Sequence, residues 1–299
     1  MTTKIGFIGL GAMGLPMAKC VAAAGFPIYT AVHRNPKPAA EIEAAGATLL
    51  KSVADVARTS DVVITILPAD AELEETAEIL QQNMAPGTTL IEMTSGKNSV
   101  MQRIADGLVG KGIRVLDAPV SGGTTGAEKG NLTIMVGGEQ NLLEEHRPLL
   151  ESMGSSILHV GAIGQGKVVK IVNQAMAAIH LIAIGECFAL GLKNGANAQT
   201  LYDVIKTSSG YSRMMDLRLP EFLMAGKFEP GFKLDLMKKD VGLAQSLAEE
   251  IGVKASLSQL VVEIFNRASA AGHGEEDFAA AAAHHAQSFG ADLNQSSTE

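Results

Sequence analysis

A doubly wound α/β domain followed by an all-helical domain is the fold class that this 299-residue sequence predicts. Short β-rich runs alternate with helical runs through the first half, the pattern of a parallel sheet covered by helices. At Gly161-Ala162-Ile163-Gly164-Gln165-Gly166 the texture changes, and no strand pattern follows. An apolar helical run then starts near Lys167 and reaches Lys193, where Asn194-Gly195 stops it. At about 1.5 Å per residue this helix spans roughly 40 Å, enough to join two domains. The predicted division is 1–163 for the sheet domain, 164–290 for the helical domain and 291–299 for a polar tail.

Residues 4–10 (KIGFIGL) predict the first strand and 15–24 the first helix, with Pro16 tolerated in its first turn. The second strand is predicted at 26–32. Residues 61–67 (DVVITIL) are nearly all apolar and β-branched, as in a strand buried on both faces. Runs 88–93, 113–116 and 132–136 read the same way, with helices at 71–82, 100–111 and 141–153. Beyond the long helix, periodicity predicts helices over 198–207, 212–225, 234–251, 257–271 and 276–287.

The chain is 46% hydrophobic and 19% charged, as expected of a globular protein with a real core. Lys and Arg number 24 against 32 Asp and Glu, a net charge of −8. Nucleic-acid binders carry the opposite bias, so an anionic ligand must be held by a local site. Three Tyr, nine Phe and no Trp argue against a base-stacking platform. Cys20 and Cys187 make neither a disulfide framework nor a metal motif, and they suit a reducing cytoplasm. Gly6, Gly9, Gly11 and Gly14 interrupt the N-terminal apolar run, unlike a secretory leader. The apolar run 175–192 carries His180 and Glu186 and reads as a buried core helix, not a membrane span.

Gly9-Leu10-Gly11-Ala12-Met13-Gly14 fits the G-x-G-x-x-G pattern between a predicted strand and helix. In that context the pattern predicts dinucleotide binding: a tight turn at Gly9, backbone approach to a pyrophosphate at Gly11, and close helix–strand packing at Gly14. Sites for NAD place an acid at the end of the second strand, and sites for NADP offer an arginine to the 2′-phosphate. Here the segment reads His33-Arg34-Asn35, so NADP is favoured over NAD, against the plainer reading of a solvated basic loop. Leu67-Pro68 and Ser95 follow two further strands, at the strand ends where dinucleotides bind.

Asp117-Ala118-Pro119-Val120-Ser121-Gly122-Gly123 follows the strand predicted at 113–116. Two glycines after Ser121 leave backbone N–H groups uncovered, as a carboxylate nest requires, although an ordinary turn has the same signature. In Gly166-Lys167-Val168-Val169-Lys170-Ile171-Val172-Asn173-Gln174, Lys170 and Asn173 are three apart and share a helix face. A lysine on an otherwise apolar helix needs a role or a partner, unless it snorkels out beside the glycine loop. Lys167, at the helix start, is expected to be solvated.

Together these segments resemble the β-hydroxyacid dehydrogenases, the group of 3-hydroxyisobutyrate dehydrogenase and tartronate semialdehyde (2-hydroxy-3-oxopropionate) reductase. FIGLGAMGLPM at 7–17 is similar to the family signature, DAPVSGG at 117–123 to its substrate loop, the run 164–174 to its catalytic helix, and FKLDLMKKD at 232–240 to a fourth block. The resemblance implies a Rossmann-type domain, a long connecting helix, and a helical domain that shapes the pocket and builds homodimers or homotetramers. It also implies Lys170 as acid/base and Asn173 as the orienting residue. Ser121, Gly122 and Gly123 would hold the substrate carboxylate, with Lys239 and Asp240 at the cofactor and substrate edge and Ser95 on the cofactor. The implied reaction moves a hydride between NAD(P) and a short β-hydroxyacid or semialdehyde. A non-catalytic dinucleotide sensor and an imine reductase are the competing readings; Lys170 in register with Asn173 argues against both. The segment Ser208-Ser209-Gly210-Tyr211-Ser212-Arg213 is a candidate for the distal end of the pocket, with a solvated helix start as its plain alternative.

Overall fold

In the computed structural model, residues 3–32 and 35–294 are described. The chain divides into two compact units, Met1–Lys170 and Ile171–Glu299.

The first unit alternates strand and helix as far as β6: β1 (Ile5–Ile8), α1 (Gly14–Ala23), β2 (Ile28–Ala31), α2 (Pro36–Ala44), β3 (Thr48–Leu50), α3 (Val53–Thr59), β4 (Val62–Thr65), α4 (Asp70–Asn83), β5 (Thr89–Glu92), α5 (Asn98–Val109) and β6 (Arg114–Asp117). Then come β7 (Val120–Ser121), α6 (Gly123–Glu128), β8 (Leu132–Gly137), α7 (Gln140–Glu151) and β9 (Gly154–Gly161). The sheet order is β3-β2-β1-β4-β5-β6-β8-β7, with β9 on β8. Strands β3 to β6 run parallel, but β8 is antiparallel to both β6 and β7. The expected all-parallel sheet is therefore mixed at this edge. Between β6 and β8 the chain is spent on β7, which pairs antiparallel with β8, and on the six-residue α6, in place of a full crossover helix. Strands β1, β4 and β5 are buried along their whole length, which is why they read as unbroken apolar runs.

The long helix α8 (Gln165–Lys193) starts in the first unit and runs into the second. There it is followed by α9 (Ala198–Lys206), α10 (Arg213–Arg218), α11 (Leu234–Glu250), α12 (Ser256–Ala268) and α13 (Ala280–Gln287). The helix predicted at 212–225 is broken after Arg218, where Pro220 enters a wide π-type turn over Leu219–Met224. The helix predicted from 276 begins at Ala280, because Asp277 turns back to accept the Ala279 N–H. Of the predicted polar tail 291–299, residues 295–299 lie outside the described residues; ahead of them Ala291 and Leu293 are buried in the same core cluster as Phe278 and Ala286. One face of α8, with Ala178, Leu181, Ile182 and Phe188, lies in that core, while Val172, Met176 and Leu190 are exposed. By length and composition α8 could cross a membrane, and only 39% of its apolar stretch is buried, less than a core helix should show.

Candidate active site

The strand order reverses direction between β1 and β4, and ligands of open α/β sheets bind beyond the strand ends at such a point. The glycine turn after β1 stands there. Gly9 has φ +102°, and a Cβ on it would fall 2.0 Å from the Ile66 carbonyl oxygen. A Cβ on Gly14 would fall 1.8 Å from the Gly9 oxygen. These two glycines let the turn close and α1 pack against the strand end. Gly11 faces open space, and with Ala12, Lys19, Cys20 and Thr124 it lines a cavity of about 660 Å³. No side chain caps the start of α1 at Met13, although the Leu15 N–H already donates to the Gly11 carbonyl at 3.0 Å and Pro16 has none to offer. The turn thus has the bare backbone and room that a dinucleotide pyrophosphate needs. Leu10 and Met13 pack partly buried against the sheet core. Leu67, Pro68 and Ser95 stand in the loops that follow β4 and β5, and the Leu67 N–H donates to Thr94 Oγ1 at 2.9 Å. His33 and Arg34 lie outside the described residues. Asn35 caps α2, its side chain accepting the Lys37 N–H at 3.1 Å.

The first turn of α8 overturns one expectation. Lys167 is not solvated: its side chain is fully buried and forms an ion pair with the equally buried Glu92. Its Nζ also donates to the Thr94 carbonyl. Glu92, the last residue of β5, accepts the Thr94 N–H on Oε1 at 2.8 Å. Asp117, the last residue of β6, accepts the Gly164 N–H at 2.6 Å and the Lys167 N–H at 2.9 Å, one on each carboxylate oxygen. Burial pushes the Asp117 carboxyl above its ordinary pKa, while the Gly164 N–H, the Lys167 ammonium and the Lys167 N–H pull it back. Gln102 of α5 holds the same loop by donating to the Ile163 carbonyl at 2.5 Å. Neither Glu92 nor Lys167 was singled out in the sequence as a site residue. The signal available was a glutamate closing the apolar run TLIE.

Lys170 is buried one turn further along α8. Asn173, expected on the same face, is exposed, and its amide donates to Gln174 Oε1 at 3.1 Å. Buried Gln174 in turn donates to Asp240 Oδ2 at 2.9 Å. Asp240 is buried on α11, and its Oδ1 lies 3.5 Å from Lys239 Nζ. Gln174 thus links three of the predicted residues into one chain. Ser121 ends β7, and Gly122 and Gly123 follow with φ of +140° and +64°. In the segment 208–213, the Tyr211 hydroxyl donates to Asp216 at 2.8 Å, and Asp216 also accepts the Tyr202 hydroxyl at 2.8 Å. Arg213 is exposed at the first position of α10.

Residues 4–161 match the family model of the NAD binding domain of 6-phosphogluconate dehydrogenase, and residues 164–285 that of the NAD-binding domain of NADP-dependent 3-hydroxyisobutyrate dehydrogenase. The chain is 39% identical over 282 residues to a 2-(hydroxymethyl)glutarate dehydrogenase of Eubacterium barkeri, covering 93% of both chains. It is 36% identical to an NAD-dependent L-serine dehydrogenase of Pseudomonas aeruginosa, covering 92% of this chain and 95% of the relative. A 3-hydroxyisobutyrate dehydrogenase of Mycobacterium tuberculosis, solved with L-serine, is similar with a TM-score of 0.88 and 32% identity, over 94% of this chain and 98% of that one. These relatives, all dehydrogenases, identify the chain as a nicotinamide-dependent oxidoreductase acting on hydroxyl groups. Within that class, the chain belongs to the β-hydroxyacid dehydrogenase family, which includes 3-hydroxyisobutyrate dehydrogenase.

Proposed function

We propose that this protein interconverts a short 3-hydroxyacid and its semialdehyde, with Lys170 as the group that gives and takes the proton. The observation that carries the reading is Lys170 itself: a buried lysine on α8, in the same compact unit as the dinucleotide cradle. The bound nicotinamide supplies the hydride in one direction and accepts it in the other. In reduction the Lys170 ammonium donates a proton to the oxygen that was the carbonyl; in oxidation the neutral amine takes the hydroxyl proton. Ser121, Gly122 and Gly123 receive the substrate carboxylate on the hydroxyl and backbone N–H groups of the turn. Asn173, by its place in the motif, orients the substrate, and within the helical unit Gln174 ties it to Asp240. Holding both ends of so short a substrate fixes the distance over which hydride passes.

The substrates named for the similar proteins, 2-(hydroxymethyl)glutarate, L-serine and 3-hydroxyisobutyrate, share a primary alcohol next to a carbon that bears a carboxylate. That unit is what the proposed site is built to grip. The first candidates are tartronate semialdehyde for reduction, and 3-hydroxyisobutyrate and L-serine for oxidation; glyoxylate, succinate semialdehyde and threonate, which place the reacting carbon at another distance from the carboxylate, complete the panel. Absorbance at the nicotinamide band, followed for each with both cofactors, tests the reading. Turnover on at least one substrate supports it, and none on any contradicts it.

We further propose that NADP is preferred over NAD, with Arg34 on the 2′-phosphate. The support is an arginine where an NAD site carries an acid. R34A is expected to weaken NADPH binding at least tenfold more than NADH binding. An equal loss for both would leave Arg34 a loop residue. A homo-oligomer completes the proposal, supported by the exposed Val172, Met176 and Leu190 along α8, with a reducing cytoplasm as its setting, supported by Cys20 and Cys187, which form no disulfide.

A further inference from the structure

The buried pair Lys167–Glu92 has no part in the proton and hydride transfers described above. It is nevertheless an expensive feature. Two ions taken out of water lose most of their hydration, and well-packed apolar residues at such a place are often as stabilising or more so. Stability alone therefore does not account for it. What an ion pair with fixed hydrogen bonds supplies, and an apolar contact does not, is direction.

The geometry here is specific. Glu92 is held at the end of β5, its Oε1 on the Thr94 N–H and its Oε2 on Lys167 Nζ. Lys167 Nζ is shared with the Thr94 carbonyl. Thr94 Oγ1 carries the Leu67 N–H from the loop after β4. From the end of β6, Asp117 grips the backbone of the same helical turn at Gly164 and Lys167. Two strand ends thus fix the first turn of α8 by side chain and backbone together. Lys170 follows three residues later, about 4.5 Å further along the helix axis. All of these residues lie in the first compact unit.

We propose that Lys167 and Glu92 are positioning residues: their buried pair sets the height and rotation of the first turn of α8, and thereby places the Lys170 amine. The proposal rests on the reading of Lys170 as the proton-handling group. A shift of about 1 Å at a reacting group can cost a hundredfold in rate, so an anchor one turn away has leverage on turnover that it lacks on binding.

The test is the paired substitution E92L/K167M, made in the wild-type protein and in K170A. In the wild-type background kcat is expected to fall at least tenfold. The KM for substrate and the Kd for NADPH, read by fluorescence, should stay within threefold; Tm falls, because the Thr94 N–H and carbonyl lose their partners, while the protein stays folded at the assay temperature. Without any cofactor, the backbone amides of 164–170 should exchange with solvent faster. In the K170A background the paired substitution should cost nothing further, because the group it places is already gone. A wild-type kcat in E92L/K167M, alongside lost turnover in K170A, overturns the positioning role and leaves Lys170 standing. Retained turnover in K170A overturns the reading of Lys170 and the positioning proposal with it. Should E92L/K167M fail to fold, E92Q carries the same test. It keeps an acceptor for the Thr94 N–H while removing the counter-charge, and an unchanged kcat there overturns the proposal.

Discussion

His146 shows how burying one side chain ties stability to pH. It lies on α7, buried, with Nε2 3.0 Å from the Thr89 hydroxyl. Desolvation lowers its pKa; the Glu145 carboxylate opposes that shift and the Arg114 guanidinium adds to it. Above its ordinary value of about 6.5, the imidazole is neutral in both the folded and the unfolded chain. Below that value the unfolded chain takes up a proton that the folded chain resists, so stability falls as pH falls. H146Q keeps a partner for Thr89 and removes the titration. The expected result is a smaller fall in Tm between pH 7.5 and 5.5 than in the wild type; equal falls would mean that His146 contributes nothing to acid lability. The two lysines at the start of α8 show the limit of reading at this scale. Lys170 stood out because its helix is apolar around it. Lys167 did not, because its partner Glu92 is 75 residues away and only the parallel packing of β5 brings the two together. Asn173 and Asp240 were legible as a motif, but Gln174, which joins them, was visible only as its last letter.

At the level of elements, the long, strongly patterned pieces were legible and the short ones were not. β1, β4 and β5 announce themselves because both faces are buried. The stretch from α2 through β3 to α3 did not. β3 has only three residues, Thr48-Leu49-Leu50, on the edge of the sheet with none of them fully buried, too short a run to show a period. In the helical unit, Arg218 at the end of α10 illustrates a tie that no local pattern encodes. It pairs with buried Asp277 at 3.1 Å and stacks over the Phe222 and Phe278 rings at 4.8 and 4.6 Å. Asp277 also accepts the Gly231 and Phe232 N–H groups, at 3.2 and 3.1 Å, just ahead of α11. R218M fills similar space but strands a buried carboxylate, which typically costs about 3–5 kcal/mol. A large drop in Tm is expected, with the adjacent FKLDLMKKD block loosened and more readily cut by protease. A Tm within about 2 °C of wild type would show that Asp277 is satisfied by its N–H donors alone.

For the whole molecule, the division of labour follows from the chain's order. The sheet unit holds the dinucleotide cradle and, through Glu92, Asp117 and the glycine loop, anchors the start of α8. The helical unit builds its own core around the rest of that helix and presents Asn173, Gln174 and Asp240 in one hydrogen-bonded chain. The two-part architecture was readable because the strand pattern stops at the glycine-rich turn. The antiparallel pairing of β8 with β6 and β7 and the burial of Ala291 and Leu293 were not, since a single strand's direction and two apolar residues leave no periodicity. The function proposed for this assembly stands or falls on one lysine. The decisive measurement is kcat of K170A on the best substrate of the wild type, with NADPH affinity and Tm measured on the same preparation. Cofactor affinity and Tm are expected to stay near wild type while kcat falls by about 10²–10⁴, the loss typical of removing a general acid–base. A folded, cofactor-binding K170A that turns over at close to the wild-type rate would contradict the assignment.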